Sequence, residues 1–451
     1  MNKDYFTFTD GLFDRSNISE KQQVFKGLRV LDFSHIIFGS IISKWLSMFG
    51  AEVIKIEEPY EGDAWRSATY WAKYWKDSSP FFQCLHWNKR FVGIDLKTQK
   101  GKELALDLAK KADVVVENFR AGLMEAWGLG YTTVSKTNPK VIYVSCSGYG
   151  QWGPLRFFPS WDLVAQSMSG VALLTGFDEK QTYKLPDFYG DFLPGIFGVM
   201  GTLSALHHRE RTGKGQFLDV SQVEVLFRMM HHWSYMDITG EDLKSTGNVD
   251  PAMAPSGIFK TRDEQFVSIA IATDEQFTAL LKAMNKMEIA QDPRFQETFE
   301  RLKPANASEI CNIVEVWVKR QQLSDIIALA QECGFPAAEV KNDLQIANDE
   351  WRRERGSVIE FEDDMYGKGT WPGSPVALEK TPVQFKSQQR PIGYHNQYIF
   401  QNVLNLSKDE IRALEKSHAI GYWGNCIGQR PPTYYDMSKD PIVNFTKGNE
   451  K

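Results

Sequence analysis

Asp191 follows Gly190 and precedes a run of Phe, Leu, Ile, Val and Met that is expected to form a buried helix. Read locally, it is an N-cap whose carboxylate accepts a hydrogen bond from an open backbone amide, and Pro194 in the first turn agrees. The same stretch begins at Trp161-Asp162-Leu-Val-Ala-Gln166 and ends at Arg211-Thr-Gly-Lys-Gly215, which reads as a helix C-cap with cations at the negative end of the dipole. Other chemistries find less support. Gly148-Tyr-Gly-Gln-Trp-Gly153 has dinucleotide spacing behind a strand, but Pro154, Arg156 and Pro159 follow where a helix must start, so a turn is expected and no nicotinamide site. His207-His208 and His231-His232 are sequence neighbours, about 100° apart on a helix, and cannot chelate one metal from one face. No Walker loop, nucleophile elbow or His-Glu-x-x-His is present.

Composition narrows the class. The chain has 451 residues, 42% hydrophobic and 24% charged, which is ordinary globular composition with room for more than one domain. A net charge of −5 gives no electrostatic case for nucleic acid or an anionic membrane. The N-terminus shows no signal-peptide pattern, and Phe192 to Leu206, the longest apolar run, is short for a bilayer crossing. Cys84, Cys146, Cys311, Cys333 and Cys426 are scattered, so reduced thiols and a cytoplasmic location are expected, with no metal site.

Short β-rich runs alternate with amphipathic helices. Strands are expected at 28–34, 51–57, 91–96, 113–118 and 141–145, with helices at 39–49, 99–111 and 132–138 between them. That alternation predicts a parallel sheet covered on both faces, a Rossmann-like α/β domain. Residues 1–26 read as a polar leader. A brief strand at 217–220 and a helix from Gln222 to Ile238 close the large domain, taken as 1–240. A linker at 245–256 opens a smaller α/β domain (241–340) with a strand at 265–272 and helices near 274–284, 307–321 and 323–333. Residues 341–451 read as a loop-rich segment, helices at 396–406 and 408–417, and an irregular tail containing Pro431-Pro432. In a parallel sheet the loops after the strands' carboxyl ends face one crevice. Cations at Asn88-Lys-Arg90, Lys97 and Asn118-Phe-Arg120 there suit either a phosphorylated ligand or a solvated basic rim.

In combination these segments resemble the class III CoA-transferases, the family of formyl-CoA transferase and the carnitine and bile-acid CoA-transferases. The resemblance rests on Leu28-Arg-Val-Leu-Asp-Phe-Ser-His35, Gly50-Ala-Glu-Val-Ile-Lys-Ile-Glu57, Asn88-Lys-Arg90, Asp95-Leu-Lys-Thr98 and Asp113-Val-Val-Val-Glu-Asn-Phe119. It continues through Asn138-Pro139, Ser147-Gly-Tyr-Gly150, Asp162-Leu-Val-Ala-Gln166, Ser169-Gly170, Gly190-Asp191, Arg211-Thr-Gly-Lys-Gly215 and the late turn Gly393-Tyr-His-Asn396.

The resemblance implies a large domain assembled from both ends of the chain, with residues 341–451 returning to it, and two chains interlinked like rings, homodimeric or paired with a homologous subunit. It implies Asp191 as the nucleophile, passing CoA from a donor such as succinyl-CoA to a free carboxylic acid through an aspartyl–acyl anhydride and an aspartyl–CoA thioester. No tightly bound cofactor is implied, since the acyl-CoA thioesters are substrates. A carboxylate needs no base for this work, and glycine at 190 is expected to let backbone amides approach the developing oxyanion. Asp162 is implied as an acidic neighbour that positions the nucleophile. CoA contacts carried over by position are Ile37, Phe38, Asp95, Leu96, Lys97, Asn118, Phe119 and Arg120. Departures are Ile37 where formyl-CoA transferase has glutamine, Trp161 where it has tyrosine, Ala126 at an arginine position, and no counterpart to its glycine-rich loop. They point to an acid with a hydrophobic or aromatic body. The family's racemases use a histidine at the position of Trp161, which cannot act as a base, so transfer is expected over racemisation. The alternative within transfer is a CoA-binding subunit active only beside a homologous chain.

Overall fold

The computed structural model describes residues 3–59, 61–68, 79–177, 181–230 and 232–422. The chain divides into two compact units: Met1–Ser169, Pro186–Met230 and Arg353–Lys451 make the first, Gly170–Leu185 and His231–Arg352 the second. The tail with Cys426 and Pro431-Pro432 lies outside the described residues, as does His231.

The first unit is built on a six-stranded parallel sheet of β1 (Arg29–Asp32), β2 (Glu52–Glu57), β3 (Arg90–Gly93), β4 (Val114–Glu117), β5 (Ile142–Ser147) and β6 (Gln216–Ser221). Its order is β3-β2-β1-β4-β5-β6, so the winding reverses between β1 and β4. Loops leaving those two strands diverge and open a crevice at their carboxyl ends. Period-2 alternation sends Leu31, Ile54, Val115 and Tyr143 to one face and Val30, Val53, Val114 and Ile142 to the other, and both faces are buried. Helices α1 (Lys3–Leu12), α2 (Phe38–Met48), α3 (Gln99–Ala109), α4 (Asp162–Met168), α5 (Tyr189–Thr212) and α6 (Gln222–Met229) follow in chain order. α3 brings Leu104, Ala105 and Leu108 onto the first face; α2 and α5 bring Phe38, Ile42, Leu46 and Ala205 onto the second.

Several expectations need correcting. The leader is helical: α1 forms there, although none of its residues is buried. The helix from Gln222 to Ile238 is two, α6 and a separate helix at His232–Thr239. α5 is buried on one side only. Gly195 and Gly198 lie against α2, where an added Cβ would sit 2.6 Å from Ile41 and 2.3 Å from Ile42. The opposite stripe of Phe192, Ile196, Met200 and Leu203 is 39–55% exposed. An apolar run does not reveal whether its second face meets core or solvent, because the three- and four-residue spacing is the same. Gly195→Ala is therefore expected to cost about 1–3 kcal/mol by overpacking, read as a lower urea midpoint with an unchanged slope.

The second unit holds a three-stranded sheet of β7 (Ser256–Lys260), β8 (Phe266–Ala270) and β9 (Ala337–Glu339), antiparallel throughout. Helices α7 (Asp274–Ala283), α8 (Pro304–Val318) and α9 (Leu323–Cys333) pack on it, around Val267, Ile269, Leu280, Val314 and Ile326. Back in the first unit, the segment read as loop-rich contains a hairpin of β10 (Val358–Asp363) and β11 (Gly367–Pro372). Helices α10 (Asn396–Asn402) and α11 (Lys408–Lys416) then close over the sheet. The Gly393-Tyr-His-Asn396 turn braces the edge strand: His395 Nδ1 accepts the Phe91 N–H at 2.9 Å and Asn396 Oδ1 accepts that of Gly93 at 3.0 Å.

Candidate active site

Asp191 lies in the first turn of α5, but it does not cap the helix. Phe188 occupies the N-cap, and no side chain makes a capping bond there. The Asp191 carboxylate instead receives a hydrogen bond from the Gln222 side chain, Nε2 to Oδ1 at 2.5 Å. Gln222 is the first residue of α6, set at the end of β6, where the preceding Ser221 accepts the Glu224 N–H as N-cap. Thirty-one residues separate the two, so nothing local in the sequence links them.

Asp162 opens α4 and faces the start of α5. Its Oδ1 accepts the Gly190 N–H at 2.6 Å, and Gln166, one turn on, donates to both of its oxygens at 2.9 and 3.0 Å. Glycine is required at 190 because an added Cβ would sit 2.8 Å from Asp162 Oδ1. The amide expected to meet an oxyanion is thus already committed to Asp162. Both Asp162 oxygens are hydrogen-bonded; Asp191 keeps one oxygen, Oδ2, without a hydrogen bond among the described residues.

That oxygen belongs to a residue lining a cavity of about 370 Å³ at the switch point of the sheet. The loop after β1 contributes His35, Ile36, Ile37 and Phe38; the loop after β4 contributes Asn118, Phe119 and Arg120. The end of β5 supplies Cys146 and Ser147 and the loop after it Gly148, Arg156, Phe158 and Trp161. The two switch-point loops are tied together. Asn118 Oδ1 accepts the His35 N–H, and its Nδ2 donates to the His35 carbonyl, both at 2.7 Å. Ile36 has φ of 63°, a left-handed conformation costly for a β-branched residue. Asp63 compensates by accepting the Ile36 N–H at 2.9 Å while paired with Lys55 at 3.0 Å, both buried. This turn aims the N-terminal end of α2 at the cavity.

Burial, and then the neighbouring Asp162 charge, push the Asp191 carboxyl up to about 7, against the opposing hydrogen bond from Gln222. If the ionised form is the reactive one, activity falls as pH drops through that value. Removing the like charge with Asp162→Asn, which keeps an acceptor for Gly190, is expected to move the acid limb of kcat to lower pH. An unmoved limb in a pH–rate profile would contradict this assignment.

The chain matches the model of CoA-transferase family III over residues 25–396. The chain belongs to CoA-transferase family III. Among its relatives, a succinyl-CoA–D-citramalate CoA-transferase from Chloroflexus aurantiacus is 31% identical over 395 residues, covering 87% of this chain and 97% of the relative. The alpha subunit of a succinyl-CoA–L-malate CoA-transferase from Chloroflexus aurantiacus is 32% identical over 406 residues, covering 89% and 94%. A solved CAIB/BAIF family protein from Brucella suis superposes with a TM-score of 0.75 at 28% identity, over 84% of this chain and 99% of that one. This family III protein is accordingly a CoA-transferase that works between acyl-CoAs and carboxylic acids.

Of the transferase residues singled out by sequence, Ile37, Phe38, Asn118, Phe119, Arg120 and Asp191 meet at the cavity, and Asp162 stands behind Asp191. Asp95, Leu96 and Lys97 are elsewhere, beyond the end of the edge strand β3, and none lines the cavity. Asp95 Oδ1 accepts the Lys97 N–H at 2.8 Å, and the Lys97 side chain is exposed beside Glu58. The 148–161 loop contains no helix, with Gly150 and Gly153 at positive φ, so a pyrophosphate has no helix end there. Gly213 ends α5 in the left-handed C-cap, as expected. His207 and His208 are exposed. Among the described residues no group of three His, Cys, Asp or Glu is placed to hold a metal, and no helix is long and apolar enough to cross a membrane. Sequence reading missed Gln222, whose partner is 31 residues away, and also Gln166 and the Lys55–Asp63 pair, whose partners lie four and eight residues away.

Proposed function

We propose that the transferase exchanges CoA through covalent intermediates on Asp191. The Asp191 carboxylate attacks the donor thioester; a C–O bond forms, the C–S bond breaks, and an aspartyl–acyl anhydride and CoA thiolate result. The thiolate attacks the Asp191 carbonyl carbon, giving an aspartyl–CoA thioester and releasing the donor acid as its carboxylate. The acceptor carboxylate then repeats both exchanges in reverse and leaves as its CoA thioester. Charge is conserved at every step and no proton moves. The observation that carries this reading is the cavity-lining carboxylate with one oxygen bonded and one open. Mass spectrometry after incubation with succinyl-CoA, acetyl-CoA or benzoyl-CoA and hydroxylamine tests it, by looking for Asp191 as its hydroxamate.

CoA contacts are assigned to Ile37, Phe38, Asn118, Phe119 and Arg120 in the cavity and to Asp95, Leu96 and Lys97 at the end of β3. Acyl-CoA is the donor, of succinyl-CoA type, with no resident cofactor. Ile37, Phe38, Phe158 and Trp161 favour an acceptor with a hydrophobic or aromatic body. A second reading, a dicarboxylic acid, is favoured by Arg156 in the same wall and by relatives named for D-citramalate and L-malate. An acceptor panel of aromatic, aliphatic and dicarboxylic acids separates them by kcat/KM. Racemisation is disfavoured because Trp161 offers no base.

The exposed stripe on α5 supports an interlocked dimer. The partner is a second copy or, as for the relative named an alpha subunit, a homologous chain. Mass in solution and activity of the chain expressed alone distinguish these. The scattered thiols favour the cytoplasm.

A further inference from the structure

We propose that Gln222 is a catalytic residue of this exchange: its amide fixes which Asp191 oxygen attacks, then supports the negative charge that develops on the other. The inference rests on Asp191 as nucleophile.

Two carboxylates sit side by side, each with a glutamine, and the difference between them is informative. Gln166 is one turn from Asp162 and spans both of its oxygens, and the Gly190 N–H adds a third bond, so neither oxygen of that group is left without one. Gln222 comes from a different element and reaches only Oδ1 of Asp191. Oδ2 is thereby the oxygen left to form the anhydride. When it does, Oδ1 becomes the carbonyl oxygen of the acylated side chain. CoA thiolate attacking the Asp191 carbonyl carbon forms a C–S bond and shifts the C=O electron pair onto Oδ1. That oxygen already faces the Gln222 N–H. Collapse of this tetrahedral species breaks the C–O bond to Oδ2 and expels the acyl carboxylate. The return attack by the acceptor carboxylate on the thioester places charge on the same atom. One donor therefore serves every step at the Asp191 carbon, while the Gly190 N–H is held by Asp162.

The donor is rigidly mounted. Ser221 Oγ and the Val223 N–H both bond the Gly148 carbonyl, at 3.0 and 3.1 Å, so the backbone on each side of Gln222 is pinned to the loop after β5. The elements packed on α5 are α2, α4, α6, β5 and β6; they carry Lys44, Asp162, Glu224, Arg228, Tyr143, Cys146 and Asp219. His35, Arg120 and Arg156 face the cavity. Of all these, only Asp162 exerts a charge effect on Asp191, and it disfavours ionisation. Gln222 is the contact that favours it.

The test compares wild type, Gln222→Met and Gln222→Glu in the hydroxylamine trap, using succinyl-CoA, acetyl-CoA and benzoyl-CoA as probe donors across pH, with CoA affinity measured by calorimetry. Gln222→Met keeps the volume and loses the donor. Its trapping rate is expected to fall on the order of 10²–10³-fold with CoA affinity unchanged, and its acid limb to move to higher pH. Gln222→Glu regains a donor when protonated and repels Asp191 when ionised, so it is expected to exceed Gln222→Met at acid pH and lose that advantage as pH rises. If Gln222→Met fails to bind CoA, the pH reversal of Gln222→Glu decides. Wild-type trapping rate and acid limb in Gln222→Met, or a Gln222→Glu profile parallel to wild type, overturns the role of Gln222 while leaving Asp191 in place. Absence of a wild-type Asp191 adduct with any probe overturns the covalent reading, and this inference with it.

Discussion

Asp191→Asn is expected to abolish turnover and, at pH 8, to make the protein more stable. The first effect follows from removing the only proposed acyl carrier: asparagine is isosteric but a poor nucleophile, and the loss should be on the order of 10⁴-fold or more in kcat. The second follows from linkage. Burial and the Asp162 charge raise the folded-state value from the ordinary 3.8 to about 7. Below 3.8 the group is protonated in folded and unfolded chains alike and the stabilisation it gives is complete. As pH rises through about 7 that stabilisation is lost, because the unfolded chain ionises more readily. A neutral amide escapes the penalty, by up to about 4 kcal/mol at pH 8 for roughly three pKa units. Urea unfolding of both proteins at pH 8 and at pH 4 checks it. The gain should be present at the higher pH and vanish at the lower. An inactive variant with no pH-dependent gain would mean that the carboxylate is solvated in the native protein.

The second large effect is expected at Asp32→Ala, which should cost about 3–5 kcal/mol. Asp32 ends β1 and accepts the Lys89 ammonium at 3.0 Å, the Ser43 hydroxyl at 2.6 Å, and the Ser34 N–H and hydroxyl at 2.9 and 2.5 Å. Burial alone would raise its carboxyl, but Lys89 and Lys55 hold it down at about 2. Its contribution is therefore complete above the ordinary 3.8 and disappears as pH falls through about 2. Truncation leaves Lys89 buried without its counter-charge, and also releases Ser34, the residue before the turn that presents Ile37 and Phe38. Asp32→Asn keeps an acceptor and should lose less. Unfolding free energies for both variants at pH 7 test the ranking; equal, small losses would show that the cluster contributes little net stability.

The sheet was legible because its strands are buried on both faces, and runs such as Val114-Val-Val-Glu117 and Ile142-Tyr-Val-Ser145 write that directly into the sequence. The order of those strands was not, since 3-2-1-4-5-6 depends on crossovers that local pattern does not encode. The β10–β11 hairpin was hidden by prolines that follow it, although Val358-Ile-Glu-Phe-Glu-Asp363 alternates properly. β9, at three residues, is too short to carry a period. At the site, Asp191 was legible through likeness alone. Its local reading as an N-cap failed because the helix starts earlier, with Phe188 at the N-cap and Asp191 already in the first turn, and no residue near 191 announces Gln222. The apolar run behind it was misjudged because sequence records an oily surface without saying what covers it.

One consequence of the first unit's construction concerns biosynthesis. Ile399, Phe400, Val403, Ile411 and Ile420 complete the same hydrophobic cluster as Leu31, Ile54 and Val115, and Ile420 pairs directly with Ile94. A growing polypeptide therefore emits its whole sheet, which ends at Ser221, well before α10 and α11, which start at Asn396 and complete the cover of one side. Until the ribosome has delivered that closing segment, only earlier helices such as α3 cover that face, and chains that terminate early leave part of its apolar surface open.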